Sequence, residues 1–419
     1  MATCTPERRA VFAAELDSAL QIAGTAITDK TRKAKNKIFG VWADFCQEFR
    51  IPPSLYTIGD PEDKLSYLLV FALRYRIKGQ RDKSVRADTV KTALTAVGTG
   101  ISDLGVQNPC KPIGSDKFYP LLNDFIRGLN KQDGPAGRSY PVNITILRAL
   151  HDVLDTDHTK FGTLNNHVIL LCIIAFYWLL RPAEYLNPET SESRSQAFRL
   201  RDIHFTMDGK IHSAISAPLH DENDLERISF ASLQFSDQKN AVKGEQVGHR
   251  ATNDPTWCPA KALGRLVLHL RKHKANASTP LFHHYNTYDK KWYKVTSTFI
   301  TNALRHAAAS VQHTTGIEPS LISARSLRPG GATALLCAGI DKDAIQLLGR
   351  WKSDAMLRYL RIQAASLQFN YAQQMLDAGA YTFHPQVLAD DGLPNEAPVA
   401  VAALLTHAEL YADSDEDDD

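Results

Sequence analysis

Apolar residues recur at helical spacing along the first third of the chain. Phe12, Leu16, Leu20, Ala23 and Ile27 fall three or four residues apart, as do Phe39, Trp42, Cys46 and Phe49, and again Val90, Leu94, Val97, Ile101 and Leu104. Each set lines one face of an α-helix, and such stripes predict core-facing helices. Thr5 before Pro6 predicts the cap of the first helix, and Asp88 that of the third. The polar, glycine-bearing stretch from Asp133 to Tyr140 reads as a linker, dividing a helical domain over 1–135 from a larger one over 136–380. The larger domain opens with helices as far as Leu180. It then shows strand patterns at 198–205 and 228–235 and a helix at 259–273. Residues 381–419, rich in alanine, proline and aspartate, read as an acidic, disordered tail. The expected fold is mainly α with a small β-sheet.

Composition fits this reading. A chain of 419 residues with 44% hydrophobic and 22% charged positions can bury a full core. That excludes a mostly disordered chain, a collagen-like fibre and a disulfide scaffold. The six cysteines form no CxxC pair, as expected of a reducing compartment. The longest apolar run, Val168 to Leu180, is too short to cross a bilayer, so no membrane partner is expected.

Charge changes the picture. The formal net charge is +2, yet ten acidic residues and no lysine or arginine lie from Ala389 onward, which leaves 48 lysines and arginines and 36 acidic residues before it. A basic body with an acidic tail suits a polyanionic partner, most simply nucleic acid. The basic residues cluster between the apolar stripes. Lys30, Arg32, Lys33, Lys35 and Lys37 form one group, and Arg81, Lys83 and Arg86 belong to another. Either is a solvated face or a set of phosphate contacts, and the first is also a candidate nuclear localisation signal.

Four segments of the larger domain carry candidate chemistry. In Leu179-Leu180-Arg181-Pro182-Ala183-Glu184 an arginine follows a buried apolar run, where it needs an anion or a carboxylate, and Glu184 lies three residues on. Phe235 to Gly244 reads as a β-hairpin with Lys239 and Lys243 near its tip. In Ser323-Ala324-Arg325-Ser326-Leu327-Arg328, Arg325 and Arg328 are spaced to address one anion at a helix start, with Leu335, Leu336 and Cys337 as the apolar face of that helix. In Leu348-Gly349-Arg350-Trp351, a tryptophan precedes Tyr359 by eight residues.

Taken in order across roughly residues 140–375, these segments resemble the tyrosine recombinase (phage integrase) family, with the eukaryotic mobile-element branch (Crypton and DIRS-like) nearest. The resemblance implies a helical core-binding domain followed by a catalytic domain. It places the catalytic arginines at Arg181 and Arg328, the hairpin lysine at Lys239 or else Lys243, and the nucleophile at Tyr359. Two positions depart from the family pattern. Arg325 stands where the family has histidine, and Arg350, by spacing, or Trp351, by residue type, fills the last motif. Arginine can donate to a phosphate oxygen but cannot act as a base.

The implied reaction is cutting and rejoining of double-stranded DNA through a 3′-phosphotyrosine, with no metal and no cofactor. Two guanidiniums would bind the non-bridging oxygens, and lysine would protonate the leaving 5′-oxygen. The resemblance also implies a tetramer on two duplexes, linked by a helix bearing Leu367, Tyr371 and Met375. The expected location is the nucleus in a eukaryotic host and the cytoplasm otherwise. Two rival readings are a non-catalytic DNA-binding protein derived from a recombinase and a type IB topoisomerase. His269 and His273 sit one helical turn apart but lack a third ligand in the sequence, and His283-His284 reads as structural.

Overall fold

The structure is a computed structural model of the chain and describes residues 5–27, 29–79, 83–134, 139–154, 163–186, 197–236 and 244–351. The chain divides between Ala136 and Gly137 into two compact units. The described residues are mainly helical with a small antiparallel sheet, the fold class read from the sequence.

The first unit holds α1 (Pro6–Gly24), α2 (Asp29–Glu48), α3 (Pro61–Ile77), α4 (Ala87–Asp103) and α5 (Pro120–Gln132). Its core forms where the stripes of α2 and α4 meet α3. Trp42, Phe71, Val90, Leu94, Val97 and Ile101 are buried there. The Trp42 ring meets Phe71 edge-on at 5.1 Å, and its indole N–H donates to the Pro53 carbonyl at 2.8 Å.

Two expectations need correcting in this unit. Helix α1 starts as expected, with the Thr5 hydroxyl accepting from the Arg8 N–H. Its stripe is not core, however: Phe12 is 46% and Leu20 61% exposed. Periodicity creates an apolar face but does not decide what covers it. Nor does Asp88 cap α4. The cap position is Arg86, and the free N–H of Ala87 is met at 2.8 Å by the carboxylate of Asp133. Asp133 is thus no mere linker residue. It also pairs with Arg76 at 2.6 Å, and the Ala87 N–H followed by Arg76 holds its carboxyl below the usual range.

The second unit begins with α6 (Ile144–Leu154), α7 (Leu164–Tyr177) and the single turn α8 (Pro182–Tyr185). Helix α7 is buried from His167 to Phe176, which explains why its sequence shows a continuous apolar run rather than a stripe. A four-stranded antiparallel sheet follows, in the order β2-β1-β3-β4, from β1 (Ile203–Met207), β2 (Lys210–Ser213), β3 (Ile228–Phe235) and β4 (Glu245–Arg250). The strand expected at 198–205 thus starts later. Residues Leu200–Asp202 form a 3-10 turn, because the Asp202 carboxylate draws back onto the Arg199 N–H at 2.9 Å.

Next come α9 (Pro259–Lys272), the hairpin of β5 (His283–Asn286) and β6 (Lys291–Lys294), then α10 (Ser297–Ser310), α11 (Gln312–Thr315), α12 (Leu327–Cys337) and α13 (Lys342–Gly349). Helix α12 buries Leu327 to Thr333; of the expected Leu335-Leu336-Cys337 face, Leu335 and Leu336 are half-buried against Leu179, Ala332 and Ile345, while Cys337 is exposed. The buried end approaches two neighbouring backbones closely. A Cβ on Gly330 would lie well inside contact distance of the Val142 carbonyl oxygen, and one on Gly331 inside that of Phe176. Gly330→Ala is therefore expected to destabilise the protein by about 1–3 kcal/mol, because backbone, unlike a side chain, cannot swing aside. Denaturant unfolding of the full chain measures this.

Candidate active site

The site forms where the chain leaves α7. Leu179 adopts φ +51, unusual for a residue with a Cβ, and this turn faces its carbonyl inward. Arg181 is then the N-cap of α8, with Pro182 at the first helical position. Glu184 answers it twice: one carboxylate oxygen takes the Arg181 backbone N–H at 2.8 Å, the other its Nη1 at 2.9 Å. Glu184 is buried, while a quarter of the Arg181 side chain, 24%, stays exposed. A carboxylate that orients an arginine from beneath leaves its outer N–H groups for an anion.

Arg328 arrives from the start of α12 and is buried. Its Nη1 donates to the Leu179 carbonyl and its Nη2 to that of Gly349. The Trp351 ring covers the guanidinium, with 4.2 Å between Cζ and the ring centroid. Arg328 is thus fixed between the turn after α7 and the end of α13, and Trp351 of the last motif is its neighbour.

Arg350 plays a different part from the one its spacing suggested. It takes the left-handed conformation, φ 58, as the C-cap of α13, and turns its side chain inward. It is only 6% exposed. Nη1 donates to the carbonyls of Trp178 and Leu348, both at 3.1 Å, and Nη2 to Leu179 at 3.2 Å and to Glu184 at 3.4 Å. The Phe235 ring lies 3.8 Å from its guanidinium. Burial lowers its pKa to about 10, with Glu184 acting in the opposite direction. Arg350 therefore fastens the Glu184 carboxylate and the Leu179 turn, the supports of Arg181 and Arg328, rather than facing solvent.

The remaining site residues sit around this network. Arg325 is exposed on the 3-10 turn Ala324–Ser326, which Tyr185 ties to α8 through a 3.0 Å bond from its hydroxyl to the Ala324 carbonyl. Strands β3 and β4 form the expected hairpin, in register at Phe235 and Glu245, and the Gly244 N–H donates to the Phe235 carbonyl at 2.9 Å. Asp202, which sequence reasoning passed over, anchors its base by accepting from the Ser236 hydroxyl at 3.1 Å. Lys239, Lys243 and Tyr359 lie outside the described residues, as do Arg81, the segment with Leu367, Tyr371 and Met375, and the acidic tail.

In the first unit, Lys30, Lys33 and Lys37 are exposed on α2, while Arg32 and Lys35 are half-buried. Arg32 bonds to the Gly24 carbonyl and lies 3.4 Å from Asp29. Lys83 is exposed; Arg86 instead donates to the Gly134 carbonyl at 2.6 Å and lies 3.8 Å from Asp133.

The histidine pair His269 and His273 does gain companions. His167 of α7 and His284 of β5 meet His269 in the core, with one ring nitrogen of each within 4.8 Å of the others. His273 is not one of the three and stacks on Tyr285 at 4.3 Å. Burial lowers His167 and His269 to about 3 and His284 to about 4, so all three rings are neutral near pH 7.

No family model matches this chain, and no curated protein matches it. Among solved structures, the chain is similar to the Tn1549 transposon integrase in complex with circular intermediate DNA, at 14% identity over 86% of this chain and 98% of that one, with a TM-score of 0.44. It is also similar to XerA recombinase, at 15% identity over 84% of this chain and 95% of that one, with a TM-score of 0.33. At such values the likeness bears no weight on function, which rests on the side chains.

Proposed function

We propose that the protein is a DNA strand transferase of the tyrosine recombinase type, an integrase or recombinase of a mobile element. The observation that carries this reading is that Arg181 and Arg328, 147 residues apart in sequence, are held in one network: Arg328 and Arg350 both donate to the inward Leu179 carbonyl, and Arg350 shares the Glu184 carboxylate with Arg181. Glu184 orients the first and Trp351 covers the second. A pair of preset guanidiniums suits the trigonal-bipyramidal phosphorus of a phosphodiester, whose added charge gathers on the non-bridging oxygens.

In this mechanism the Tyr359 hydroxyl attacks phosphorus and its proton passes to solvent. The bond from phosphorus to O5′ breaks, Lys239 protonates the leaving oxygen, and a 3′-phosphotyrosine remains. Lys239 lies four residues beyond Phe235, whose ring packs on Arg350, and this nearness in sequence supports its assignment as the acid. Lys243 is the second candidate. A free 5′-hydroxyl reverses the step on the same or another strand without ATP. Assembly as a tetramer on two duplexes through the Leu367-Tyr371-Met375 segment, and location in the nucleus of a eukaryotic host, belong to the same proposal.

Trapping with a nicked suicide duplex, taken from the DNA flanking the coding sequence, tests it. The wild type is expected to form a covalent adduct, and Tyr359→Phe to lose it while keeping DNA affinity within about twofold, since a single hydroxyl contributes little to phosphate-dominated binding. An adduct that survives Tyr359→Phe assigns the nucleophile elsewhere. DNA binding with no adduct in the wild type favours the non-catalytic reading, and supercoil relaxation without strand exchange favours the topoisomerase. Removing the tail from Ala389 onward is expected to tighten non-specific DNA binding at low salt and steepen its salt dependence, because ten acidic groups no longer compete with phosphates. Filter binding across a salt series reads both effects.

A further inference from the structure

The buried histidine trio is unrelated to the arginine network and to any step of the strand transfer. His167 comes from the first turn of α7, His269 from the last turns of α9 and His284 from β5. Their relative exposures are 2%, 3% and 2%, so all three imidazoles are buried. The His269 and His284 rings stack in parallel, 4.8 Å between centroids and 3° between planes, and His167 approaches His284 at 5.2 Å.

The hydrogen bonds show which nitrogens are spoken for. His167 Nε2 is 2.8 Å from the Leu281 carbonyl, which can only accept, so Nε2 carries the proton and Nδ1 the lone pair. His269 Nε2 accepts a long bond, 3.3 Å, from the Tyr285 N–H. His284 Nδ1 is buried with no hydrogen-bond partner. A buried polar nitrogen without a partner has lost its water and gained nothing in return, a cost that a ligand would relieve.

We propose that His167, His269 and His284 form a binding site for a divalent transition-metal ion of the zinc and cobalt class, which pins the β5–β6 hairpin to α7 and α9. Neutral imidazoles are the ligands this class prefers. The bond from His167 Nε2–H to a backbone carbonyl is the usual outer support of a metal-bound histidine, holding the ring so that its other nitrogen faces the ion. The orphaned Nδ1 of His284 gains a partner. Metal–nitrogen bonds of about 2.0–2.1 Å set tetrahedral nitrogens about 3.3 Å apart. From within 4.8 Å, the rings reach that spacing when one of the parallel pair turns, since in-plane lone pairs of stacked rings do not converge, and His269 gives up its long bond to Tyr285. No carboxylate or thiolate among the described residues joins the three, so solvent would supply a fourth ligand, and the affinity falls below that of closed four-ligand sites.

The test uses the full chain, stripped with a chelator, dialysed and titrated with cobalt(II), whose visible absorption reports nitrogen coordination. One equivalent is expected to bind at micromolar free cobalt, to raise the melting temperature and to be displaced by zinc. His284→Phe keeps the ring packing but removes a ligand, and is expected to lose both the absorption and the thermal shift. His273→Phe, one turn from His269 but outside the trio, is expected to keep both. His167→Phe replaces His284→Phe if the latter does not fold. A folded wild type that binds no cobalt overturns the site, and so does a signal that survives His284→Phe. A signal lost in His273→Phe overturns it as well, since it places the ion on the pair His269–His273. None of these readouts depends on DNA or on Tyr359.

Discussion

Glu184→Ala is expected to destabilise the protein by about 3–5 kcal/mol, the range for removing one partner of a buried ion pair. Glu184 is 2% exposed, accepts from Arg181 at two atoms, and lies 3.4 Å from Arg350 Nη2. Without it, Arg350 keeps its carbonyl partners but loses its nearest carboxylate, and at 6% exposure water cannot compensate. The damage extends to the proposed chemistry, because Arg181 loses the support that aims it. Denaturant unfolding measures the first effect. A double-mutant cycle with Arg350→Met separates the pair from the rest: the second substitution is expected to return part of the stability lost, since it removes the stranded charge. If the two losses simply add, Glu184 and Arg350 do not act as a unit.

A second large effect is expected in acid. The unfolded chain protonates His167, His269 and His284 near pH 6.5, whereas burial delays this in the folded protein to about 3, 3 and 4. Between those limits the unfolded state binds more protons, so stability falls as the pH falls. Each ring contributes a slope of up to about 1.4 kcal/mol per pH unit. The protein is expected to unfold steeply between about pH 6 and 4, with little change above 7. His284→Phe, which cannot protonate, is expected to shift the midpoint to lower pH. Circular dichroism across a pH series in the presence of chelator decides it, and a flat profile down to pH 4 would show that the trio is not desolvated as the structure has it.

Much of the architecture is legible in the sequence, because it depends on local periodicity. The stripes of α2 and α4, the span of β3 and the extent of α9 follow from the spacing of apolar residues and from turn residues at their ends. The four chemical segments are legible too, because a charged residue against an apolar run stands out in one dimension. Arg181 and Glu184, three apart, could be paired on paper, and the structure pairs them.

What the sequence could not determine depends on contacts between distant segments. Whether the face of α1 is core depends on its cover, and Phe12, Leu16 and Leu20 are exposed. The cap of α4 comes from Asp133, 46 residues away, so no local motif marks it. Arg350, by spacing, and Trp351, by residue type, are adjacent candidates for the last motif, yet the left-handed turn at Arg350 sends one side chain into the carbonyls after α7 and lays the other over Arg328. His269 seemed to have only His273 for company, because helical spacing displays neighbours along one helix. Packing α7 and β5 against α9 supplied His167 and His284 instead, since burial joins residues by volume and sequence orders them by bonds.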